Sequence, residues 1–100
     1  MRLTERQIEQ ISDIGHFIYG KEVRIYLFGS RTDDHKKGGD IDLFIETETD
    51  QLATTENKLK YLVRLKQALG DQKIDLVYSA GIETRPSFKV SILKNRIRLC

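Results

Sequence analysis

The chain has 100 residues, 39% hydrophobic and 32% charged, with a formal net charge of +2. This supports one modest core, a single domain expected over residues 1–100, and leaves no room for a second substrate domain. So small a positive balance gives no reason to expect direct nucleic-acid binding. Its one cysteine, Cys100, excludes an intrachain disulfide, and no apolar segment is long enough for a signal or membrane span, so the expected location is the cytoplasm.

Thr4-Glu5-Arg6-Gln7 has the spacing of a capping box, with Leu3 and Ile8 placed for a hydrophobic staple. Ile8, Ile11, Ile14 and Ile18 follow at helical spacing, and Gly20 is a suitable stop. A helix covering a sheet is predicted here, with His16 at its surface or half-buried rather than serving as a ligand. Val23 to Phe28 then alternates as a strand, with Val23, Ile25 and Leu27 on one side and Arg24, Tyr26 and Phe28 on the other.

The stretch from Leu27 to Ile45 reads LFGSRTDDHKKGGDIDLFI, and the chain is organised around it. Gly29-Ser30 ends the first strand. A glycine there lets a ligand approach the backbone, turn N–H groups can cradle an anion, and Ser30 and Arg31 add donors suited to phosphate. In the loop that follows, Lys36 and Lys37 are read as solvated, and His35 has no partner at zinc spacing. In the next strand, alternation puts Asp40, Asp42 and Phe44 on one face and Ile41, Leu43 and Ile45 on the other. Two aspartates on one strand face repel, and a divalent cation, which takes carboxylate oxygens and bridges to phosphate, relieves that repulsion. A phosphate cradle beside a carboxylate pair suits a metal-bound nucleoside triphosphate.

Thr47 to Asp50 offers N-caps for a second helix running to about Leu69 and closed by Gly70. Leu52, Leu59, Leu62, Val63 and Leu69 form its expected core face, and Tyr61 is expected to pack at the surface. Lys73 to Tyr78 is a third strand. A strand–helix–strand connection of this length crosses over to a parallel neighbour, which can bring Asp75 beside Asp40 and Asp42. In the tail, Pro86 opens a short helix with Phe88, Ile92 and Leu93, ending near Lys94-Asn95, and Arg96 to Leu99 alternates as a final strand. The tail's basic residues are read as a solvated face.

Gly29-Ser30, a nine-residue loop and Asp40-x-Asp42 in strand context resemble the signature of the DNA polymerase β-like nucleotidyltransferase superfamily. The small size points to its minimal branch, the MNT proteins often paired with a HEPN-domain toxin. The resemblance implies an α+β fold, a small mixed twisted β-sheet with helices packed on one face. It implies nucleotidyl transfer from ATP, with Asp40 and Asp42 holding one or two Mg²⁺ ions and Asp75 completing a metal site and helping to deprotonate the acceptor. Gly29 and Ser30 would hold the β- and γ-phosphates, and Arg31 would offset charge on the leaving pyrophosphate. The implied acceptor is a tyrosine of a HEPN-type partner toxin, modified by AMP, with this chain as its antitoxin. The alternative is a non-catalytic antitoxin that neutralises its partner by binding alone. A third reading, an aminoglycoside-modifying enzyme, would call for a second domain.

Overall fold

A computed structural model describes residues 3–29, 41–70 and 72–100. Helix α1 spans Glu5–Tyr19 and begins with the predicted capping box: the Gln7 N–H donates to Thr4 Oγ1 (3.1 Å) and the Thr4 N–H donates to Gln7 Oε1 (2.9 Å). Strand β1 is Arg24–Phe28 and β2 is Ile41–Glu46. A short 3₁₀ turn at Asp50–Leu52 precedes α2, Thr55–Leu69. The second helix starts later than the sequence suggests because Thr54, not the Thr47–Asp50 segment, caps it. Its Oγ1 accepts the Asn57 N–H, while Asn57 Nδ2 donates back to the Leu52 carbonyl. Strand β3 is Ile74–Tyr78, α3 is Pro86–Asn95 and β4 is Ile97–Arg98.

The four strands form one mixed sheet in the order β3-β2-β1-β4. β1 runs antiparallel to both β2 and β4, and the α2 crossover sets β3 parallel to β2, as its length predicts. Alternation then divides the sheet. Ile25, Leu27, Ile41, Leu43 and Ile45, all fully buried, face α1 and α2 in the main core. Tyr26, Phe44, Phe28 and Val77 face the other way and pack with Ile82, Phe88 and Ile92 of the α3 region in a second, smaller cluster.

The packed face of α2 differs from the expected one. Tyr61 and Leu65 are fully buried, whereas Leu59 and Val63 are more than half exposed. Leu59 and Val63 lie two positions either side of Tyr61, so at 3.6 residues per turn they point roughly 160° away from it. Only one set can face the sheet, and Tyr61 wins because its hydroxyl has a partner: it donates to the Ile11 carbonyl at 2.8 Å. Gly15 makes the room. A Cβ there would run into Ile25 Cδ1 and stand 3.2 Å from the Tyr61 hydroxyl. His16 is exposed, as expected.

Candidate active site

The register of the sheet gathers the site. Phe28, the last residue of β1, pairs with Asp42, and Asp42 pairs with Asp75. Register partners on neighbouring strands share a face, with strands about 4.8 Å apart, so the two carboxylates stand side by side. They project from the face opposite α1 and α2, at the end of the sheet where β1 finishes and β2 and β3 begin. A backbone bond from the Ile41 N–H to the Lys73 carbonyl (2.9 Å) fixes this alignment just before both aspartates. Asp42 is half-buried and Asp75 is exposed.

Gly29 follows Phe28 with φ at +77°, a conformation L side chains rarely adopt. A Cβ on Gly29 would also collide with the Asp42 carboxylate. The chain therefore turns away from β1 right against that carboxylate, and only glycine permits both the turn and the approach. Of the residues singled out by sequence, Gly29, Asp42 and Asp75 come together. Ser30, Arg31 and Asp40, with the loop residues His35, Lys36 and Lys37, lie outside the described residues. Among the described residues no group of three or more His, Cys, Asp or Glu side chains is arranged to hold a metal.

Sequence reasoning overlooked the aromatic wall beside this carboxylate pair. Phe28 meets Phe88 of α3 edge to face at 5.9 Å, and the Arg85 guanidinium lies 4.2 Å from the Phe88 ring centre. Arg96, read as part of a solvated basic tail, is half-buried instead. It lies 4.1 Å from the Tyr26 ring centre and pairs with Glu46 at 3.5 Å. The signal for both was present in the sequence: each Arg sits close to an apolar position of α3 or β4, where a long stem can cover rings while its charge reaches water.

No curated protein gives a significant sequence match. A crystal structure of the toxin–antitoxin MntA-HpeT, in a form carrying two aspartate-to-glutamate substitutions, is similar in fold, with a TM-score of 0.70 at 20% identity. The match covers 98% of this chain and 73% of that one. The expected α+β fold is thereby borne out. Residues 8–99 match the family model of the nucleotidyltransferase domain, which takes in β1, β2 and β3 together with Gly29, Asp42 and Asp75. The chain belongs to the nucleotidyltransferase domain family.

Proposed function

We propose that this chain moves a nucleoside monophosphate, AMP from ATP, onto a hydroxyl of a partner toxin and so acts as its antitoxin. The observation that carries the reading is the register pair Asp42–Asp75, set against a turn that only Gly29 can make. Adjacent carboxylates repel unless something offsets their charge, and paired oxygen donors beside an opened backbone are the donor set a hard divalent cation takes. The residues present therefore fit Mg²⁺, held by Asp42 and Asp75 with Asp40, which precedes Asp42 at the two-residue period of a strand face. When bound, Mg²⁺ supplies charge neutralisation for the phosphates and for the oxygens that attack and leave.

The chain's own groups do the positioning. Gly29 leaves room for the triphosphate to approach the backbone, and the Ser30 hydroxyl and Arg31 guanidinium supply donors to its outer phosphates. Arg31 offsets the charge that builds on the departing pyrophosphate. Asp75, the more exposed carboxylate, would draw the proton from an incoming hydroxyl, a role its exposure supports. The toxin partner is supported by the similar fold of MntA-HpeT, which is described as a toxin–antitoxin. Its two substituted aspartates have the same two-residue spacing as Asp40 and Asp42. A HEPN-type toxin presenting a tyrosine is the proposed acceptor.

Calorimetry of ATP binding with and without Mg²⁺ tests the site. The wild type should bind ATP more tightly with Mg²⁺, and Asp42→Asn should lose that enhancement while staying folded. Equal ATP affinity for both proteins at saturating Mg²⁺ would sink the assignment.

A further inference from the structure

The face of the α1–α2 layer turned away from the sheet has no role in the reading above. Phe17 is 70% exposed there, Leu59 56% and Val63 55%, an unusual share of large apolar surface for a 100-residue chain. These three side chains line an open groove of about 690 Å³ with Lys60, Arg64 and Gln67. The Arg64 guanidinium lies 4.5 Å from the Phe17 ring centre, which marks where the two helices stand level.

The exposed surfaces of the two helices carry opposite net charge, with Asp13 next to Phe17 on α1 and Lys60 and Arg64 lining the groove on α2. α1 exposes Glu5, Glu9 and Asp13 against Arg6, while α2 exposes Lys60, Arg64 and Lys66 against Glu56. Lys60 is paired with Glu56 at 3.2 Å. Among the described residues, Glu5, Glu9, Asp13, Arg64 and Lys66 make no ion pair. One copy of the chain thus offers both halves of a charge match that it does not make within itself.

We propose that this face is covered by a second copy of the same chain, related by a two-fold axis running along the seam between α1 and α2. A two-fold axis in that direction lays α1 of each copy over α2 of the other, so acidic flank meets basic flank twice. It keeps each residue level along the seam. Asp13, one turn before Phe17, then stands about 6 Å along the seam from the level of Arg64 of the other copy, a distance that the long arginine side chain can span. A two-fold axis across the helices would instead stack α1 on α1 and set like charges together. Two 15-residue helices, each about 22 Å long, present roughly 400–500 Å² in projection, a small interface that makes a weak, concentration-dependent dimer. The proposed active site lies on the opposite face of the sheet and stays open in such a pair.

Sedimentation velocity on the full chain, from micromolar to millimolar, tests this. The wild type should shift from monomer to dimer as concentration rises. Phe17→Glu should raise the dimer Kd about thirtyfold or more with an unchanged circular dichroism spectrum, since Phe17 is already largely exposed. Asp13→Arg and Arg64→Asp should each weaken the dimer, and the double exchange should restore it. A wild type that stays monomeric at millimolar concentration would overturn the proposal, as would a dimer indifferent to Phe17→Glu. Failure of the double exchange to restore association would overturn the axis. Protection of this face from hydrogen exchange only on adding a toxin partner would assign it to that partner instead.

Discussion

Strand β2 places two kinds of chemistry one residue apart. Leu43 points into the main core, fully buried between Leu27 and Leu76, its register neighbours. Asp42 points the opposite way, half-buried, between Phe28 and Asp75. The core face is closed by two helices and held by apolar contact. At the Asp42 end of the other face, two carboxylates stand together where sheet stability alone favours β-branched or aromatic residues. The core side of the strand supplies the rigidity, and the other side uses it to hold two carboxylates in register.

The contrast can be broken from either side. The largest effect should come from Leu43→Ala, which leaves a cavity in a fully buried site and should lower unfolding free energy by about 2–5 kcal/mol in a urea melt. Next is alkaline pH. Burial holds the Tyr19 and Tyr61 hydroxyls far above their ordinary value of 10.0, and Tyr19 further donates to Tyr78, which itself donates to the Thr54 carbonyl. The unfolded chain then releases phenolic protons that the folded chain retains. The stability these tyrosines contribute is fully present below pH 10 and is lost as pH rises above it, by about 1.4 kcal/mol per pH unit for each tyrosine. Urea melts across that range should show the slope, and Tyr61→Phe should reduce it. The smallest effect should come from Asp42→Asn, which removes like-charge repulsion and should change stability by less than about 1 kcal/mol in either direction. A loss as large as that of Leu43→Ala would mean that Asp42 serves the fold rather than a site.

How much of this was legible in the sequence follows from the range of the interaction. The capping box at Thr4–Gln7 closes over three residues, and the alternation of β1 and β2 over two, so both read directly. The length of the α2 crossover implied a parallel β3 and hence the meeting of Asp42 with Asp75. The packed face of α2 did not read, because Leu59 and Val63 outrank Tyr61 in hydrophobicity. What decides the rotation is a hydroxyl partner fifty residues away at Ile11 and the space left by Gly15. The same local clarity picked out Gly29, whereas its collision with the Asp42 carboxylate depends on pairing across strands. The Phe28–Phe88 contact joins β1 to α3 and left no short-range trace.

The proposed activity of the carboxylate face is nucleotidyl transfer onto a partner toxin. The decisive measurement is the intact mass of the protein encoded by the neighbouring reading frame, the proposed toxin, co-expressed with the wild type and with a double variant, Asp40→Asn with Asp42→Asn. The wild type should add one or more AMP masses to the partner, and the folded double variant should add none. A partner left unmodified by both versions yet neutralised equally by both would contradict the claim, and would leave a binding antitoxin whose aspartates no longer act.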